Sequence, residues 1–197
     1  MSRIARVFAL VVTPAMLLGL ASGAAAKPTA THIYSAFAAD GTPAVHVSRT
    51  LRGSCFTGSI AANRNDAWRC MSGNSLMDPC FSSAKARGFV LCPIGPWGSS
   101  AVKLSLTRGL PKSQANKAPP STSTHPWAIK TGPGWKCEFN TGTANLIGKR
   151  ASTYFCSGTS NWLWGLPSRG SQPWTIFAAP LSAKALSRRV SVTDAWF

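Results

Sequence analysis

The chain has 197 residues, with 21 lysines and arginines against 5 aspartates and glutamates, six cysteines, eight tryptophans and a net charge of +16. That length makes one domain or two small ones and is enough to bury a core. The charge attracts polyanions, but the basic residues are scattered and only Lys149-Arg150 and Arg188-Arg189 are adjacent, which excludes a polybasic nucleic-acid tail.

Residues 1–26 read as a secretory signal peptide. Arg3 and Arg6 precede an apolar run at 7–21, and Ala24 and Ala26 occupy the small-residue positions before a cut. The run is too short for a spanning helix, which needs about 20 apolar residues, and Pro14 sits in its middle. Cleavage after Ala26 leaves 171 residues with 19 basic and 5 acidic side chains, a net of +14. The expected location is therefore outside the cytoplasm. Residues 27–43 read as a flexible N-terminal segment, and 44–197 as a single cysteine-rich β domain.

Glycine and proline interrupt nearly every window after residue 44. Short runs rich in Val, Ile, Phe, Trp and Thr recur between turn signals, the pattern of an all-β chain. Strands are expected at 44–49, 66–71, 76–81, 88–92 and 101–107, and then at 126–131, 135–139, 152–156, 161–165, 173–178 and 189–196. The fold class is a disulfide-stabilised β-sandwich or barrel-like domain with at most a minor helical contribution. Helical turns are expected at 182–188 and within 59–68. The stretch 108–125 is polar, rich in Pro and Ser, and reads as a loop. It divides the cysteines four and two, so bridges need not cross it. Two phrases recur: HPWAIK at 125–130 resembles QPWTIF at 172–177, and Asp-Ala-Trp occurs at 66–68 and 194–196.

The stretch 66–80, DAWRCMSGNSLMDPC, gathers two cysteines, two aspartates and an arginine around a Ser-Gly-Asn turn. Zinc is not expected, because no C-x₂₋₄-C pair is present and exported thiols oxidise. Asp66 and Asp78 would form a carboxylate pair for acid–base work on sugars if the hairpin brought them together. The simpler reading makes them structural partners of Arg64 or Arg69. No odd cysteine is left to act as a nucleophile. Cys55, Cys70, Cys80, Cys92, Cys137 and Cys156 are even in number in an exported chain and read as three disulfides. Fifteen pairings are open. The one expected joins neighbours in sequence, Cys55–Cys70, Cys80–Cys92 and Cys137–Cys156, each contributing about 3 kcal/mol on a chain-entropy model. Residues 66–80 then serve as framework.

At these residues the chain resembles a known group. SCFTGSIAANRNDAWRCMSGNSLMDPCF, then LCP, PWAI, YFC and the closing DAWF, are similar to an uncharacterised cysteine-rich extracytoplasmic domain of high-GC bacteria. That domain occurs in small exported proteins and outside the membrane in some serine/threonine kinases. The resemblance spans residues 50–197, and Cys70 with Asp78-Pro79-Cys80-Phe81 is its most specific part. It implies export and domain extent, and no activity.

One ligand surface is suggested by the residues themselves. In Asn161-Trp162-Leu163-Trp164-Gly165, a strand would place Trp162 and Trp164 on one face about 7 Å apart. With Leu163 turned to the core, the indoles would form a platform for sugar rings or a membrane interface. Lys149, Arg150 and Arg169 flank it in sequence and would supply anion contacts. The favoured function is a secreted, non-enzymatic module that binds an anionic or glycan component of the cell envelope, with membrane-surface contact as a variant. The expected state is a monomer without metal or cofactor and without a specific nucleic-acid partner. The alternatives are an envelope hydrolase using Asp66 or Asp78, and a structural or partner-binding secreted protein.

Overall fold

The computed structural model describes residues 26–112, 118–186 and 188–197. The signal peptide reading falls on residues outside these, apart from its last position, as do 113–117 of the loop and one residue of the expected helical turn at 182–188. The protein is all-β, with no helix among the described residues. Each run expected as a strand overlaps one.

Among the described residues there are thirteen strands, eleven of which build two small closed barrels. The first contains β2 (His46–Gly58), β3 (Ala67–Ser72), β4 (Ser75–Ser83), β5 (Ala86–Pro93) and β6 (Ser100–Leu106). They follow one another as a meander. A meander with an odd number of strands returns to its starting edge pointing the same way, so β2 and β6 close the ring in parallel. The second barrel contains β7 (Ala128–Thr131), β8 (Lys136–Phe139), β10 (Arg150–Ser157), β11 (Asn161–Ser168), β12 (Thr175–Pro180) and β13 (Arg189–Trp196). Here the number is even, and β13 closes on β7 antiparallel. A two-residue strand, β9 (Leu146–Ile147), edges β10. Closure removes the free edges that open sheets must protect.

Strand β2 does double work. Its first half pairs with β6 and its second with β3. It changes partner at Gly53, where a Cβ would lie 2.0 Å from the Met71 carbonyl oxygen and 2.9 Å from Leu104 Cδ1. Only glycine lets the strand turn this corner. The β3–β4 hairpin turns at Gly73-Asn74, with Ser72 opposite Ser75 and Gly73 at φ +55°, the conformation that favours glycine.

The three disulfides are Cys55–Cys70, Cys80–Cys92 and Cys137–Cys156. Each joins adjacent antiparallel strands: β2 to β3, β4 to β5, and β8 to β10. Cys70 and Cys80 therefore do not staple their own hairpin; each ties it to the next strand outward. All six sulfurs are buried, and no free cysteine remains.

Burial resolves into three clusters. Trp68, Val90, Val102 and Leu104 fill the first barrel around its two disulfides. Ile129, Tyr154, Leu163, Ile176, Val190 and Val192 fill the second around its one. Between them lies an aromatic seam of Tyr34, Phe37, Phe81, Trp127 and Trp196. The apolar runs of the first barrel thus serve two cores, since Cys80, Val90 and Cys92 face its interior while Phe81 and Leu91 face the seam. The repeated phrases do not mark a duplicated domain, because the strands beginning after Pro126 and Pro173 both belong to the second barrel, on either side of β13.

Two expectations are corrected. Residues 27–43 are ordered rather than flexible: β1 (Ala30–His32) runs parallel to β13, and Tyr34, Ala36 and Phe37 are buried. Their aromatic rings find partners only in the seam, which no local pattern reveals. No helix forms at the described residues of the turns expected at 182–188 and within 59–68; bends and turns mark the first, and the second runs through bends and a turn into β3. In the second of these, Arg64 and Ser59 spend their hydrogen bonds on distant or irregular partners instead.

Arg64 is the fixed point of the seam. Its Nη1 donates to the carbonyls of Tyr34 (2.7 Å) and Phe197 (2.9 Å). Nε and Nη2 donate to the two carboxylate oxygens of Asp66 (2.6 and 2.7 Å), and the guanidinium carbon lies 4.8 Å from the Phe81 ring centroid. Replacing Arg64 with Ala leaves the Tyr34 carbonyl without this donor and a partly buried carboxylate without its partner, while the Phe197 oxygen keeps only the Tyr34 N–H, so urea denaturation should show a loss of about 3 kcal/mol. Arg64→Lys should recover only part of it, because an ammonium cannot make the two-pronged contact.

Candidate functional site

Chemistry in a chain with so few acids depends on how those acids are spent. Asp66 is held by Arg64 as above. Asp78, on β4, accepts from the Ser59 hydroxyl and from the Ile60 N–H at 3.2 Å. Its side chain has no exposed surface. Burial is the main cause of a carboxyl pKa raised above the ordinary range, with the hydrogen bonds and Arg69 pulling it back. Arg69 Nε stands 3.9 Å from Asp78 Oδ2 without a hydrogen bond, so the hydroxyl and the amide do most of the holding. Asp40 closes a turn onto Thr42, and Asp194 meets His32 at 3.1 Å. Asp66 and Asp78 are thus framework ties, one paired and one sealed from substrate. Among the described residues no cluster of His, Cys, Asp or Glu suits a metal ion.

A cleft of about 280 Å³ between the barrels is lined by Arg49, Leu76, Asp78, Ile94, Trp127 and Glu138, among others. Glu138 is exposed, yet desolvation raises its carboxyl pKa. Asp78 adds wall to this cleft but no accessible oxygen. His125 lies beside Phe139, with ring centroids 4.8 Å apart, and bonds the Ala61 carbonyl at 3.1 Å. Burial lowers its pKa, so it sits as a neutral packing group.

The surface that differs in kind is the outer face of the second barrel. Phe155 on β10 stands opposite Trp162 on β11, their ring centroids 5.3 Å apart, and Phe155 is 52% exposed. Trp162 in turn stands opposite Ala179 on β12. Phe177, two residues along β12, shares that outward face. Over its ring lie two guanidinium groups: Arg150 from β10 at 4.6 Å and Arg189 from β13 at 4.2 Å. Arg150 reaches across β11 above Gly165, whose missing side chain leaves the passage, with Arg150 Cδ 3.6 Å from where a Cβ would be. Arg189 Nη1 also donates to Thr175 Oγ1 at 2.9 Å. Neither arginine has a carboxylate partner among the described residues. Lys149, exposed in the turn before β10, adds a third cation.

The expected platform of Trp162 and Trp164 is not formed. Trp164 is 1% exposed, and its Nε1–H donates to the Ala179 carbonyl at 3.0 Å. The β11–β12 register runs unbroken through Trp162–Ala179, Leu163–Ala178 and Trp164–Phe177, so Trp164 stands opposite Phe177 but is covered instead of presenting its ring to solvent. Phe155 takes the place of Trp164 beside Trp162. Arg169 is also reassigned. Its guanidinium donates to the carbonyls of Thr122 and Thr124 and stacks on Trp174 and Phe197, so it clamps the inter-barrel loop. The two residues missed in sequence, Phe177 and Arg189, come from strands far from Arg150. Only the adjacency of Arg188 and Arg189 hinted at one of them.

No protein family, curated protein or solved structure matches this chain.

The sealed carboxyl generates a pH prediction. A pKa raised above its unfolded value near 3.8 means that the contribution of Asp78 is full below that value and is lost as pH rises through the folded one. Asp78→Asn keeps an acceptor for Ser59 and removes the titration. The Tm of the variant minus that of the parent should therefore rise from pH 3 to pH 7; a flat or falling difference would contradict the burial argument.

Proposed function

We propose that this protein is an exported, non-enzymatic module that binds an anionic or glycan polymer of the cell envelope through the outer face of its second barrel. The observation that carries the reading is the convergence of Arg150 and Arg189 on the Phe177 ring without a neutralising carboxylate. Like charges brought this close repel one another. The Phe177 ring offsets part of that cost, and an anion lying on this face against either guanidinium group offsets the rest. On the same face, exposed Phe155 and half-buried Trp162 supply aromatic surface against which a sugar ring or polymer backbone can lie. Three buried disulfides suit an oxidising compartment. The resemblance to an extracytoplasmic domain agrees with that location, and export supplies the setting in which wall polymers are met.

The test is a binding screen of the oxidised protein against polyphosphate, teichoic-type polymer, peptidoglycan, anionic vesicles and DNA at several salt concentrations. Affinity for the anionic wall polymers should fall as salt rises. The double variant Arg150→Gln/Arg189→Gln should bind roughly tenfold more weakly, since a charge-assisted hydrogen bond is worth about 1.5 kcal/mol or more. Arg52→Gln, exposed on β2 of the other barrel, should bind like the parent. Equal binding by the parent and the double variant would refute the assignment.

A further inference from the structure

A second surface, in the first barrel, has a different chemistry. A groove of about 610 Å³ opens at one end of that barrel, between the β4–β5 hairpin and the segment leaving β6. Its volume is in the range of small-molecule sites. Phe89, Leu106 and Leu110 form the apolar floor, with Ala84 and Ala86 on the hairpin side. The far wall is pinned, because Thr107 donates to the Gly53 carbonyl from both its N–H (2.8 Å) and its Oγ1 (3.0 Å). Gly88 and Gly109, also in the lining, face open space, with nothing within 4 Å of an added Cβ. The rim is cationic. Arg87 and Arg108 are exposed and have no carboxylate partner among the described residues, and the Lys103 ammonium lies 4.4 Å over the Phe89 ring. No acidic residue is among those lining the groove.

An apolar trough edged by cations on a rigid wall matches a molecule with an apolar tail and an anionic head. We propose that this groove binds a single acyl chain carrying an anionic headgroup, with the chain over Phe89, Leu106 and Leu110 and the head between Arg87 and Arg108. The charge complementarity selects this occupant over a neutral apolar segment, which would leave the arginines unpaired. The proposal stands on residues separate from Arg150, Phe177 and Arg189, so either site stands or falls alone.

Calorimetric titration below the critical micelle concentration tests it, with butyl, octyl and dodecyl phosphate and with dodecyl maltoside as probes. Affinity for the phosphates should grow with chain length, by up to about fourfold for each methylene buried. Arg87→Gln/Arg108→Gln should weaken dodecyl phosphate about tenfold and leave dodecyl maltoside unchanged. Both substitutions lie on exposed residues and leave the barrel interior intact. Ala84→Glu, which adds a negative charge to the hairpin wall, should weaken dodecyl phosphate as well. Butyl phosphate binding as tightly as dodecyl phosphate would reduce the site to a charge effect and overturn the proposal. So would an unchanged affinity in Arg87→Gln/Arg108→Gln, or a loss found only in Arg150→Gln/Arg189→Gln.

Discussion

One guanidinium group joins three parts of the chain that are distant in sequence. Arg64 binds the Tyr34 and Phe197 carbonyls and Asp66 at once, and lies over Phe81. The seam around it is aromatic, and apolar contact by itself is non-directional. Two barrels pressed together by rings alone would slide over many similar arrangements. Directed bonds from a buried, planar donor set allow far fewer. Because Arg64 is on the first barrel while Phe197 follows β13 of the second, the orientation of one barrel against the other passes through this side chain. The N-terminal segment is drawn in by the same group, through Tyr34, and its strand β1 then completes the sheet beside β13.

Asp66 is spent holding that arginine, and the other aspartates have similar internal duties. Asp78 is sealed on Ser59, Asp40 closes a turn, and Asp194 meets His32. With five carboxylates against 21 basic side chains, most surface cations have no partner to neutralise them. This scarcity, more than any single basic residue, creates the anion-seeking character proposed for the outer face of the second barrel and for the groove of the first. It also argues against acid–base catalysis by Asp78, whose carboxyl has no exposed surface to meet a substrate.

The strands were legible because β-branched and aromatic runs alternate with turn residues along the chain. The disulfides were legible because neighbouring cysteines fell on neighbouring antiparallel strands, the pairing that a meander brings together most directly. Gly53 shows where such reading ends. The strand expectation stopped at residue 49, short of the glycine in TLRGSCF. In the barrel the same glycine is the corner that keeps β2 continuous across two partners. Trp164 marks the other limit. Alternation holds from Trp162 through Trp164, but Trp164 is 1% exposed, a covering that nothing in residues 161–165 records.

What the amino-acid sequence determined unaided is local and covalent. Side-chain volume and branching set the β class, an even count of cysteines let every one of them pair, and the ratio of basic to acidic residues set the sign of the surface. What the tertiary structure decided is which distant residues meet. Two barrels rather than one, the burial of Tyr34, Ala36 and Phe37 in a shared seam, the clamp made by Arg169, and the meeting of Arg150, Phe177 and Arg189 all depend on strand register and ring closure. These depend on backbone pairing between segments that carry no mark of one another until the chain has folded.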